Sequence, residues 1–542
     1  MVLAPHFDSY RQPVLGTRGM VASSQPLATS AGLRILARGG TAADAAVATA
    51  AALNVTEPNM TGLGGDCFAL YYDAATRRVS ALNGSGRAPA ALTLERLRAE
   101  GFGDGLHPLH PHCVTVPGAC AAWFDLVERH GALPMPALLE PAIELAEDGF
   151  PVAPITAQLW SSVARQQLSV STGGRELLID GRGPRAGEVF RNPTLARTLR
   201  RIAEQGAEAF YRGEIAVAIA EVVTAHGGCL HLDDLASHES TWERPISSVY
   251  RGVRVWECPP NGQGLAALLA LNLVRGFELD AMPPLGPERV HLLVEAMRLA
   301  FADTRYYVAD PATCEIPLDE LLSETYASER RREIDLDRIN PDARRGEPVA
   351  SSDTVYLCCV DAAGNACSFI NSNYMSFGTG LVPEGCGFSL QNRGHNFSLD
   401  PLHPNALAPR KRPYHTIIPG MLTREPDGDL YGPFGVMGGF MQPQGHLQVV
   451  VGLVDDALDP QAALDRPRFL LQAGAPDGAV VLEPEFPEAT RTDLAARGHT
   501  LQIAEGLGRI QLGRGQIIRR DADGVLWGGS DPRADGCAMP LG

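Results

Sequence analysis

The feature that most constrains this chain is an abrupt change of character. From residue 331 to 353 the sequence RREIDLDRINPDARRGEPVASSD is polar and charged, with proline and glycine, and it reads as an exposed, mobile segment. At Thr354 it turns apolar at once. TVYLCCVD, the turn AAGN and then ACSFINSNY have the pattern of an antiparallel hairpin. Cys358 and Cys359 sit mid-strand, where a reduced cysteine serves as a small hydrophobe. A buried hairpin fed directly by a solvated run needs a core already waiting for it. Asp353 and Thr354 either form the turn that starts the strand, or mark a place where the chain is cut and Thr354 becomes an N-terminus. The residues by themselves admit both readings.

The preceding chain can supply that core. From Ser24 a helix is expected, with Leu27, Ala28, Ala31 and Ile35 on one face, stopped by Gly39-Gly40, and Thr41 caps the next. MTGLGGDCFALYYD (60–73) reads as a glycine turn feeding a strand, and 79–92 as a strand and a turn. Residues 141–148 read as a short helix opened by Pro141 and closed by Gly149. Val290, Leu293, Met297, Ala300 and Thr304 mark the buried stripe of a helix over 287–305. HTIIPGML and LQVVVGLV are strand or buried-helix candidates. The class is mixed α and β.

Charge and composition exclude several functions. A net charge of −17 and the lack of any Lys/Arg block argue against nucleic acid as a partner. The longest apolar stretch, AADAAVATAAALNV (42–55), is too short and small-sided to span a bilayer, so no membrane partner is expected. The N-terminus shows no basic region followed by an apolar one. The eleven cysteines include no C-x-x-C, which fits a reducing compartment, and a cytoplasmic location is expected.

Standard catalytic signatures are missing. There is no H-E-x-x-H, and the prolines of HPLHPH (107–112) break helical ligand spacing, so that run reads as a loop. No Walker loop is present, GFGDG lacks a strand–helix context, and the GSG at Ser85 lacks the outer positions of a nucleophile elbow. No metal and no cofactor are expected. What remains is Thr354, whose hydroxyl becomes a useful nucleophile if its own α-amine takes the proton.

Several long motifs then carry a resemblance. MVASSQPLATSAGLRILARGGTAADAAVATAAALNVTEPNMTGLGGD (20–66), HLLVEAMRLAFADTRYYVADP (291–311), SDTVYLCCVDAAGN (352–365) and GSDPRADG (529–536) resemble the γ-glutamyltransferase family of N-terminal-nucleophile hydrolases, in the family's order. The resemblance implies an α+β four-layer αββα sandwich and self-cleavage between Asp353 and Thr354. It implies a heavy chain 1–353 and a light chain 354–542 forming one intertwined catalytic unit, and leaves a homodimer open. It makes Thr354 the nucleophile, Ser372 a second hydroxyl bonded to it, Gly438 and Gly439 the oxyanion hole, and Arg87 the clamp on a substrate α-carboxylate.

The departures are as informative. Where glutathione-cleaving members hold the glutamyl α-amine with Asn, Gln and Asp, the matching positions are Tyr374, Arg393 and Asn396, and a serine pair becomes His415-Thr416. Acceptors for an ammonium are lost and a cation is gained. The resemblance implies acyl transfer or hydrolysis of γ-glutamyl, glutathione-like amides. The departures point instead to an amine-free acyl amide, oxalyl- or glutaryl-type, as in the branch that includes oxamate amidohydrolases. A reading from another class is an uncleaved, non-catalytic binding protein.

Overall fold

The computed structural model describes residues 11–103, 105–340, 354–472, 475 and 478–542. Asp353, and with it one side of the expected scissile bond, lies outside them.

The hairpin expected after Thr354 forms the middle of a seven-stranded antiparallel sheet. Its order is Cys537–Pro540, Met20–Ser23, Val355–Val360, Ala366–Ser372, Asp66–Asp73, Arg78–Gly84 and Thr241–Glu243. Every residue of Val355–Val360 and Ala366–Ser372 is buried, which explains why VYLCCV is apolar without alternating: both faces are covered. A second seven-stranded sheet runs Val14–Gly16, Leu526–Ser530, Arg514–Arg520, Leu430–Met437, Gly420–Arg424, Val253–Glu257 and Ile246–Tyr250. The sheets pack face to face. A Cβ at Gly435 would lie 2.5 Å from the Tyr356 ring of the other sheet, so only glycine permits this approach. Nearby, the Ser368 hydroxyl bonds the Tyr356 hydroxyl at 2.8 Å and donates across the sandwich to Phe434 O at 3.4 Å.

Helices cover both outer faces. Pro26–Ala37 and the wholly buried Ala42–Thr56 lie on the first sheet, the latter opened by a capping box between Thr41 and Asp44. Gly264–Val274, Pro287–Tyr307 and Met441–Val454 share a second core with the other sheet. The architecture is the α+β four-layer αββα sandwich. Both sheets contain strands from before and after residue 354, so the two parts share their cores.

Three local expectations are changed or narrowed. The helix read at 141–148 begins earlier, as Met135–Asp148 with Pro141 inside it. Its buried Met135, Leu138, Leu139, Ala142 and Ile143 make one stripe, whose burial outweighs the backbone bond lost at the proline. LQVVVGLV belongs to the helix Met441–Val454, whereas HTIIPGML leads into the strand Gly420–Arg424. The polar run starts in a helix, Glu324–Arg331, and from 341 to 353 lies outside the described residues.

Candidate active site

The hairpin register builds the centre of the site. Val355 pairs with Asn371, which sets Thr354 at the strand's mouth across from Ser372. Both are fully buried, and their hydroxyl oxygens are 3.1 Å apart. Ser372 Oγ accepts the Tyr374 N–H at 2.9 Å and is reached by Arg393 Nη2 at 3.5 Å. The nucleophile candidate thus sits on a rigid central strand with a second hydroxyl fixed beside it.

Gly438 and Gly439 follow the strand Leu430–Met437, with φ of +133° and +58°. Their carbonyls are held: Gly438 O accepts Met441 N–H at 3.0 Å, and Gly439 O accepts Gln442 N–H at 3.1 Å and Gln263 Nε2 at 2.9 Å. Among the described residues no acceptor takes the N–H of either glycine. N–H groups at a helix start are the kind of donor that can receive developing negative charge.

Tyr374, Arg393, Asn396 and Thr416 form one connected array against Ser372. Arg393, on the short 3₁₀ turn Arg393–Asn396, is fully buried and donates through Nη1 to Thr416 Oγ1 at 2.7 Å. Its guanidinium lies over the Tyr374 ring, 4.1 Å from the centroid. Tyr374 holds a φ of +76°, a backbone strain that its partners must secure. Its hydroxyl donates to Asn396 Oδ1 at 2.5 Å, and Asn396 Nδ2 donates to Tyr414 O at 3.0 Å. Burial pushes the Tyr374 hydroxyl up to about 12, so it remains a donor. Burial lowers Arg393 to about 10, with Asp66 and Tyr374 opposing, so it remains a cation at neutral pH.

His415 and Arg87 stand differently from the array. His415 Nε2 bonds Asp66 Oδ2 at 3.0 Å and Nδ1 accepts Ile417 N–H at 3.3 Å, so both ring nitrogens are turned into the protein. Burial, reinforced by Arg393, lowers His415 to about 4 and keeps it neutral. Arg87 is partly exposed on the neighbouring loop and donates to Glu239 O at 3.3 Å.

A family profile described as gamma-glutamyltranspeptidase matches residues 28–541. The chain belongs to the gamma-glutamyltranspeptidase family. It is 37% identical to the glutathione hydrolase-like YwrD proenzyme of Bacillus subtilis over 97% of this chain and 99% of that protein. It is 34% identical to the oxamate amidohydrolase proenzyme of Klebsiella pneumoniae, covering 97% and 98% of the two chains. The crystal structure of cephalosporin acylase from Bacillus halodurans superimposes with a TM-score of 0.91 at 48% identity, covering 98% and 97%. As a family member the chain is an enzyme of the hydrolase and acyltransferase kind. Among the described residues no helix is long and apolar enough to cross a membrane, and all eleven cysteines are free thiols.

Two groupings escaped sequence reasoning. Asp66 ended a glycine turn in the sequence, yet it faces His415 in the site. His291, Glu295 and His499 converge with possible ligand atoms within 4.8 Å of one another. These three are engaged within the protein: His291 Nδ1 meets His499 Nε2 at 2.7 Å, His291 Nε2 donates to Asp335 O at 2.8 Å, and Glu295 accepts Arg298 Nε at 2.9 Å. Only the separation of four between His291 and Glu295 on one helix could have hinted at them.

Proposed function

We propose that this chain is a self-processing amide hydrolase that is cut between Asp353 and Thr354 and acts on an acyl group bearing a carboxylate but no α-amine. Cleavage would yield 1–353 and 354–542. Thr354 Oγ then attacks the substrate carbonyl while the Thr354 α-amine takes its proton, and the tetrahedral oxyanion meets the N–H groups of Gly438 and Gly439. Collapse expels the protonated amine and leaves an ester on Thr354. Water, deprotonated by the same α-amine, attacks the ester and releases the acid.

The observation that carries the acyl preference is the buried Arg393 guanidinium beside the Thr354–Ser372 pair. A guanidinium suits a planar carboxylate and repels an ammonium. Two unit charges about 5 Å apart at an effective dielectric of about 20 interact by roughly 3 kcal/mol, enough to separate the two substrate types by over about a hundredfold. Tyr374 and Asn396 are bonded to each other, which leaves no carboxylate there to receive an ammonium. The family's γ-glutamyl, glutathione-like substrates are therefore expected to be poor ones.

The test compares γ-glutamyl, glutaryl and oxalyl anilides on purified protein, with N-terminal sequencing of fragments from a denaturing gel. Glutaryl or oxalyl amides should exceed γ-glutamyl in kcat/KM, and the smaller fragment should begin at Thr354. Preference for γ-glutamyl, or full activity in an uncut chain, would overturn the proposal.

A further inference from the structure

We infer that Asp66 is the positioning residue of the acyl pocket: its carboxylate ties together the chain segments that form the pocket wall and, through His415 and Thr416, fixes the aim of Arg393. The inference rests on the reading of Arg393 as the anchor for a substrate carboxylate.

Asp66 is fully buried at the start of its strand and lies directly opposite Ser372 in the sheet register. Its Oδ1 accepts Gly86 N–H at 2.9 Å, Gly118 N–H at 3.3 Å and Gln391 Nε2 at 3.0 Å, while Oδ2 accepts His415 Nε2 at 3.0 Å. These donors come from four separate parts of the chain. Gly86 precedes Arg87. Gly118 is the N-cap of the helix Ala119–His130. Gln391 opens the loop that carries Arg393 and Asn396. His415 precedes Thr416, which accepts the Arg393 guanidinium.

An uncharged side chain could not serve all four donors equally well. A carboxylate has about four lone-pair sites and donates nothing, so it can face this ring of N–H groups without conflict. Burial opposes its ionisation, but the hydrogen bond from His415, the charge of Arg393 and the bond from Gln391 prevail and hold it below the usual carboxylate range. The ladder between Asp66–Asp73 and Ala366–Ser372 uses backbone groups alone, so strand pairing gives no reason for a buried acid here. Two of its donors, Gln391 and His415, lead to Arg393 along the chain, and its charge steadies that guanidinium.

The test measures one ratio, kcat/KM for glutaryl anilide over that for the uncharged valeryl anilide, in wild type, Arg393→Met and Asp66→Asn. An asparagine at 66 turns an N–H toward His415 Nε2–H, so His415, Thr416 and Arg393 lose their register. Asp66→Asn should still cleave itself, and its ratio should fall about tenfold, carried by KM, the scale of one charge-assisted hydrogen bond. Adding His415→Gln should recover part of the ratio, because the glutamine oxygen can accept the new N–H. If Arg393→Met loses the ratio while Asp66→Asn keeps it, the role of Asp66 is refuted and the carboxylate reading stands. If both keep it, the carboxylate reading itself fails. If Asp66→Asn fails to cleave, or loses both substrates equally, Asp66 is a residue of the fold alone and the inference is overturned.

Discussion

Replacing Gly438 by alanine isolates the oxyanion turn from everything that selects the acyl group. Space is available: the added Cβ would lie 3.4 Å from Gly513 Cα and from Met441 Cβ, ordinary contacts. The cost is therefore conformational. Gly438 has a φ of +133°, a region that side-chain-bearing residues avoid, whereas Gly439 at +58° lies in the left-handed helical region. Alanine at 439 should cost about 1–2 kcal/mol, and alanine at 438 about 3 kcal/mol, the upper end for a strained residue. Gly438→Ala can relieve that strain only by rotating the peptide, which turns its N–H away from the oxyanion. Loss of one such donor lowers kcat by about a hundred- to a thousandfold. The assay is kcat and KM on glutaryl and valeryl anilides, with a thermal melt to separate lost stability from lost rate. The expected pattern is a large fall in kcat, nearly equal for both acyl groups, with KM little changed. Full kcat in a well-folded Gly438→Ala, or a loss confined to one acyl group, would refute the oxyanion assignment.

Thr354→Ala should remain one full-length chain with no turnover on a denaturing gel and in the amide assay, because both cleavage and catalysis need that hydroxyl. Asn396→Asp alone should not confer γ-glutamyl activity: a carboxylate there cannot donate to Tyr414 O as Asn396 Nδ2 does, and the lost bond should appear as about 1–3 kcal/mol of stability in a urea melt. Activity should survive exhaustive dialysis against strong chelators, and loss reversed by one added metal would refute a metal-free mechanism. Burial holds His415 at about 4 and His499 at about 3, below the ordinary 6.5. An unfolded chain takes up protons before the folded one does, so their contribution is present above pH 6.5 and lost as pH falls from there toward 4 and 3. Each would contribute a slope of about 1.4 kcal/mol per pH unit, and His499→Gln should flatten the acid limb of the thermal midpoint.

The hairpin at the centre of the site was legible because it is local: two apolar runs joined by AAGN. The Thr41 cap and the helix over 287–305 were readable for the same reason. That Thr354 and Ser372 face each other across the two arms of the hairpin came from the resemblance and, in the structure, from the strand register. The acyl pocket was legible only through resemblance, since Tyr374, Arg393 and Asn396 meet Thr416 across a fold that no periodicity reveals. Asp66 was hidden further, because its donors lie at 86, 118, 391 and 415 and nothing nearby in the chain marks it. The helix Met441–Val454 was ambiguous because an evenly apolar run has no alternation to report. Pro141 misled because a proline suggests a helix start, and burial of the preceding Leu138 and Leu139 prevailed.

The interleaving of strands on either side of Thr354 bears on what happens after maturation. Val355–Val360 lies between Met20–Ser23 and Ala366–Ser372, so a cut before Thr354 leaves a chain end inside a sheet built from both products. Before the cut, folding is a first-order event of one molecule. Afterwards, recovery from full unfolding requires two molecules to find each other and thread a shared interior, and its yield should fall on dilution. Thr354→Ala should refold with a yield independent of concentration. The cut would thus make assembly a one-time event: the mature enzyme keeps a structure that its separated parts regain only by collision.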